Sequence, residues 1–109
     1  MKRIIKFFNR EQNLLFHIIA TIIVIIFGIK FNINQIEWLF VSLAIVLVIT
    51  SELMNSAIEL TVDLYTRKYN DLARIAKDTA AAAVLVSAIT SVFIGMYVFL
   101  PKIIDIFSK

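Results

Sequence analysis

The stretch TAAAAVLVSAITSVFIGMYVFLP, Thr79 to Pro101, runs for 23 residues without a formal charge. Coiled as an α-helix at 1.5 Å per residue it is about 34 Å long, enough to cross the ~30 Å hydrocarbon layer of a bilayer. Two further segments share its character. Gln12 to Ile29 holds 18 uncharged residues and Trp38 to Ser51 holds 14. The shorter one reaches spanning length by extending back to Ile36 and forward past Glu52. The chain of 109 residues is 61% hydrophobic and 17% charged, against about 45–50% and 25% in soluble domains. These segments predict a single all-α membrane domain, residues 1–109, with transmembrane helices over about 12–30, 36–64 and 72–100.

Charge sets the expected orientation. Lys2, Arg3, Lys6 and Arg10 precede the first span, and Arg67, Lys68, Arg74 and Lys77 lie between or beside the second and third. The other side carries Lys30, Lys102 and Lys109. Eight against three places the N-terminus and the second connection in the cytoplasm by the positive-inside rule. The net charge of +3 is then a topology signal, since no basic-aromatic patch points to nucleic acid. The basic start could also open a signal peptide, but GIKFNINQ offers no small-x-small cleavage site, and the segment reads as a retained span. MKRIIKFFNR alternates basic and apolar residues, the composition of an interfacial amphipathic helix over residues 1–11 or of a basic tail that only sets topology. The absence of Cys excludes thiol and disulfide chemistry. FNINQ reads as a short polar turn, with Trp38 just beyond it as an interfacial aromatic and candidate lipid contact. The second helix is expected to run on to about Tyr65. The third is expected to start near Leu72 and to end before Pro101.

One segment breaks the apolar pattern. In VITSELMNSAIELTVD, Val48 to Asp63, the residues Glu52, Asn55, Glu59 and Asp63 fall within about 80° of one another around a helix, with Ser56 beside them. Acids inside a span are costly toward lipid, at roughly 2.5–3.5 kcal/mol for a central Asp, so the stripe must face protein, water or cations. Glu11 belongs to the same layer, and Lys77 with Asp78 borders it from the third helix. The carboxylates could simply pair with Lys77, Arg74 or Arg10 to hold helices together. They outnumber the nearby bases, however, and hard oxygen ligands from two helices suit Mg²⁺. Lys77 can serve as a phosphate-binding point charge or as a snorkelling anchor. His17, one imidazole inside the first span, reads as a hydrogen-bonded packing residue or a lipid contact rather than a metal ligand. The small residues after Thr79 suit close helix packing.

ELMNSAIELTVD followed by AKDTAAAAVLV resembles the bacterial diacylglycerol kinase/undecaprenol kinase family of small membrane lipid kinases. The pattern E-x-x-N-[ST]-A-I-E-x-x-x-D is filled by Glu52, Asn55, Ser56, Ala57, Ile58, Glu59 and Asp63, and the A-K-D by Ala76, Lys77 and Asp78. The resemblance covers nearly the whole chain. It implies that Glu52 is the general base acting on a lipid hydroxyl and contacts the lipid. It implies that Glu11 and Glu59 hold the Mg²⁺ that accompanies ATP, and that Asn55, Tyr69, Asn70, Lys77 and Asp78 contact the nucleotide. It further implies a homotrimer in the bacterial cytoplasmic membrane. The chain departs from the family in a shorter segment before Glu11, in Lys68 and Asn70 where Glu and His are common, and in Ala82 where many relatives have Gly. The ending IGMYVFLPKII resembles the undecaprenol branch, so undecaprenol is the expected substrate and diacylglycerol the alternative. Outside the family, a proton- or cation-coupled transporter would also carry intramembrane acids, but near mid-bilayer rather than at one end.

Overall fold

A computed structural model of the chain describes residues 2–3 and 12–108. Most of the N-terminal segment expected to be amphipathic, including Arg10 and Glu11, lies outside the described residues; Lys2 and Arg3 are helical and exposed. Three long helices follow: α1 Gln12–Lys30, α2 Gln35–Tyr65 and α3 Asp71–Phe107. All three are long and apolar enough to cross a membrane. They run up, down and up. The ends carrying Arg67, Lys68, Arg74 and Lys77 form a basic end, with the α1–α2 turn at the opposite end.

That turn is built from backbone rules. α1 ends in a Schellman motif: Ile33 N–H bonds the Gly28 carbonyl at 3.2 Å and Asn32 N–H bonds Ile29 at 3.1 Å. Asn32 supplies the left-handed residue, φ 53°, a conformation Asn tolerates better than most side chains. α2 then opens on a capping box. Asn34 Oδ1 accepts from Glu37 N–H at 2.9 Å, and Glu37 Oε1 accepts from Asn34 N–H at 3.0 Å, which satisfies two of the donors a helix start leaves orphaned. Both helices meet tightly here. Gly28 is buried against the Trp38 ring, and a Cβ in its place would lie 2.6 Å from Trp38 Cη2. Trp38 and Val24 pack on a core of Ile33, Val41 and Val98.

α2 is the central helix and packs more extensively on α3 than on α1. Its buried residues are Val41, Ala44, Val48, Glu52 and Ser56. Facing them, α3 buries Ala80, Ser87 and Val98, with Val84, Ser91 and Ile94 half-buried at the same three-and-four spacing. That spacing makes one seam along each helix. Small residues on the α3 side let the backbones approach, and Ser91 Oγ crosses the seam to donate to the Ala44 carbonyl at 3.2 Å. Ion pairs close it at both ends: Lys77 Nζ to Asp63 Oδ1 at 2.6 Å and Lys102 Nζ to Glu37 Oε2 at 2.7 Å. Most other large apolar side chains, among them Ile22, Ile26, Val86 and Phe93, are exposed, as expected of surfaces that face lipid or another copy.

α2 reaches Tyr65 as its sequence suggests. α3 does not stop before Pro101 but continues through it to Phe107. Proline removes one N–H from the helix ladder, yet the next residue, Lys102, is anchored to Glu37 and holds the following turn against α2. Between α1 and α3 the packing is incomplete. A cavity of about 380 Å³ runs there, from His17 and Thr21 toward Gly95 and Phe99.

Candidate functional site

The acidic stripe lies on the seam of α2, not on its outer face. Glu52 is 4% exposed and Ser56 3%. The reason is periodicity: Glu52 occupies the position that continues Val41, Ala44 and Val48. If the Glu37–Lys102 pair marks one face of the hydrocarbon, an upright α2 crosses ~30 Å in about twenty residues, reaching the other face near Ala57. Glu52 is then about 7 Å inside that face, Asn55 and Ser56 at it, and Glu59 and Asp63 beyond it. A carboxylate at that depth needs polar neighbours. One is His17, whose Nε2 lies 3.7 Å from Glu52 Oε1.

One turn further along, Asn55 Nδ2 donates to Glu59 Oε1 at 3.1 Å. Asn55 Oδ1 is fully buried and has no hydrogen-bond partner among the described residues. An orphaned buried acceptor is uncommon in a native fold and marks a place where a donor or a cation is wanted. Asn55 Oδ1 and the half-buried Glu59 carboxylate are oxygen donors of the type that suits Mg²⁺, although the Asn55 amide turns its Nδ2 toward Glu59. Among the described residues no group of three acidic, His or Cys side chains gathers to hold a metal by itself. Glu11, expected as the second carboxylate, lies outside the described residues.

Asp63 pairs with Lys77 across α2 and α3, so the helix-tying role that the sequence left open is realised for this carboxylate. The same contact fixes the Lys77 ammonium at the basic end of the stripe, about 16 Å of helix rise from the level of Glu52. Asp78 is exposed beside it. Asn70 is the N-cap of α3, its Oδ1 accepting from Ala73 N–H at 3.1 Å. Tyr69 is exposed, and its hydroxyl donates to Asp71 Oδ1 at 2.7 Å. That hydrogen bond raises the phenol above its ordinary pKa, with a smaller contribution from desolvation. Both residues therefore have structural partners within the connection. Trp38 stands fourteen residues from Glu52 on α2, roughly 21 Å away along the helix, and packs in the core at the opposite end.

Two features of the site escaped sequence reasoning. His17 was legible only as a lone imidazole, because its partner Glu52 is on another helix. The cavity beside it has no sequence signal at all.

Comparison with known proteins puts this geometry in a family. A profile described as prokaryotic diacylglycerol kinase matches residues 1–99. The undecaprenol kinase of Bacillus subtilis (strain 168) is 46% identical over 93 residues, covering 85% of this chain and 76% of the relative. A diacylglycerol kinase of Synechocystis sp. is 35% identical over 100 residues, 91% of this chain and 57% of the relative. The diacylglycerol kinase of Escherichia coli (strain K12) is 31% identical over 74 residues, 68% and 61%. The chain thus spans about three quarters of the Bacillus relative and less than two thirds of the other two. With three membrane-crossing helices and a family profile over nine tenths of its length, the chain is a multi-pass membrane protein that belongs to the prokaryotic diacylglycerol kinase family, a family of lipid kinases.

Proposed function

We propose that this protein transfers the γ-phosphoryl group of ATP to the hydroxyl of undecaprenol at the cytoplasmic face of the bacterial cell membrane. The observation that carries the proposal is Glu52, buried on the α2 seam at the head of a polar stripe that leads to a lysine at the basic end. A lipid hydroxyl approaches such a stripe from the bilayer and ATP approaches it from water. Phosphoryl transfer asks the protein mainly for positioning and charge stabilisation. Glu52 takes the proton of the hydroxyl as its oxygen bonds the γ-phosphorus and the bond to the β-phosphate oxygen breaks, releasing ADP. Asn55, Lys77 and Asp78 orient the phosphates, with Tyr69 and Asn70 beside the nucleotide. Mg²⁺ held by Glu59 and Glu11 would neutralise phosphate charge.

Undecaprenol is preferred to diacylglycerol because the undecaprenol kinase is the more similar relative over most of its length. The basic end faces the cytoplasm by the positive-inside argument. A homotrimer with sites completed between copies is the assembly we infer, for which the exposed small residues Ala81, Ala82 and Ala83 of α3 suit close packing against another copy. A coupled transporter is disfavoured, since Glu59 and Asp63 lie at one end of the span rather than at its middle. The test is a side-by-side assay of the purified protein with ATP, Mg²⁺ and each lipid. Faster phosphorylation of undecaprenol is expected. Preference for diacylglycerol would reassign the substrate, and no phosphorylation of either alcohol would overturn the kinase reading.

A further inference from the structure

We propose that His17 is a positioning residue for Glu52: its Nε2 stands 3.7 Å from Oε1 of the carboxylate, at the end of an apolar cavity. The inference rests on the kinase reading for its chemistry, but its geometry stands alone. Glu52 and His17 meet at 3.7 Å with side chains 5% and 22% exposed, inside the apolar layer, where a carboxylate rotamer is not held by bulk water. The imidazole has an aromatic neighbour. Its ring stands edge-on to Phe16 at 5.5 Å and 82°. One turn later Thr21 Oγ1 donates to the His17 carbonyl at 2.7 Å, a local bond that keeps the α1 backbone and the Thr21 side chain in register.

The cavity gives the contact its direction. His17, Thr21, Val48 and Ala88 line one end of it, and the rest of its wall is almost wholly apolar. Along α3 the lining runs from Ala88 to Phe99, about 16 Å of helix rise. Val48 is one turn from Glu52, so a hydrocarbon chain lying in the cavity brings its polar end to the carboxylate and the imidazole together. A base must sit within hydrogen-bond reach of the proton it removes, and a shift of 1 Å costs about 10²-fold. His17 stands against the carboxylate from α1, where it is placed to limit that shift.

The chain contains one histidine, which gives a readout independent of activity. In wild-type protein in nanodiscs, the imidazole ¹⁵N resonances report His17 alone. They are expected to move in Glu52→Gln and to stay in place in Glu59→Gln; the reverse pattern overturns the contact whatever the enzyme does. For function, His17→Phe is expected to lower kcat for lipid phosphorylation about 10- to 10²-fold with KM for ATP unchanged. His17→Gln, which keeps an N–H donor, is expected to recover most of the rate. In a Glu52→Gln background His17→Phe should add nothing. Wild-type kcat in His17→Phe, equal losses in His17→Phe and His17→Gln, or full additivity with Glu52→Gln would each overturn the positioning role. A wild-type protein that phosphorylates no lipid alcohol but shows the resonance shift would sink the kinase reading and leave the His17–Glu52 contact standing.

Discussion

Replacing Lys77 by Met separates two things its ammonium can do. In the structure Nζ is 2.6 Å from Asp63 Oδ1, with side chains 39% and 23% exposed. An ion pair this open to solvent contributes about 0.2–1 kcal/mol, or roughly 1.4- to 5-fold in an equilibrium. If Lys77 only ties α2 to α3, its removal costs no more than that, and a protein several kcal/mol stable stays folded. A charge-assisted hydrogen bond to phosphate is worth more, about 1.5–3 kcal/mol. Its loss lowers kcat/KM for ATP about 10- to 150-fold, one decade for every 1.36 kcal/mol. Asp63→Asn breaks the same tie but leaves the ammonium in place, so it should stay within about fivefold of wild type. The assay is the initial rate of labelled phosphate transfer to undecaprenol in nanodiscs, with ATP varied at saturating lipid. Equal small effects in Lys77→Met and Asp63→Asn would refute a phosphate role and leave Lys77 as a strut.

Other outcomes follow from the same geometry. Glu52→Gln should leave a folded protein with activity lower by at least ~10²-fold, the usual minimum for loss of a general base; near-normal rates would remove Glu52 from that role. Glu59→Ala should lose activity that higher Mg²⁺ partly restores, the signature of the metal-ligand role proposed for it; a loss insensitive to Mg²⁺ would contradict that assignment. Gly28→Val should lower the thermal unfolding midpoint in detergent by the equivalent of ~1–3 kcal/mol, since the Trp38 ring must move. Mixing Glu52→Gln subunits with Lys77→Ala subunits should regain activity that neither shows alone if the two residues of one site come from different chains. A fully active monomer in nanodiscs would count against any shared site.

Much of this molecule can be read along the chain because its strongest constraints are local. Twenty apolar residues make a span wherever they occur, and a 100° turn per residue gathers Glu52, Asn55, Glu59 and Asp63 onto one face without knowledge of any neighbour. The continuation of α2 to Tyr65 follows from the same pattern. The contacts between helices were not legible. Whether Asp63 meets Lys77, and whether His17 meets Glu52, depends on register between segments far apart in sequence. Pro101 misled for a related reason: its local cost is real, but the Lys102–Glu37 pair sixty-five residues apart holds the next turn in place. The capping box of Asn34 and Glu37 was available to inspection, since Asn-x-x-Glu before an apolar run is its signature.

Where the Glu37–Lys102 pair sits at one membrane surface, it is a fixed mark from which Glu52 hangs. Fifteen residues of rigid helix, about 22 Å, separate the two acids, and that length does not stretch. Membranes, by contrast, differ by several ångströms in hydrocarbon thickness, and helices answer such mismatch by tilting or by deforming the lipid around them. With the Glu37 end of α2 level with that surface, a thicker bilayer draws the Glu52 carboxylate deeper below the water boundary, and a thinner one lifts it toward the headgroups. The reach of the hydroxyl-bearing lipid changes in the same step, since its own head rides with the surface. For the base role proposed for Glu52, membrane thickness thereby becomes a coordinate of catalysis.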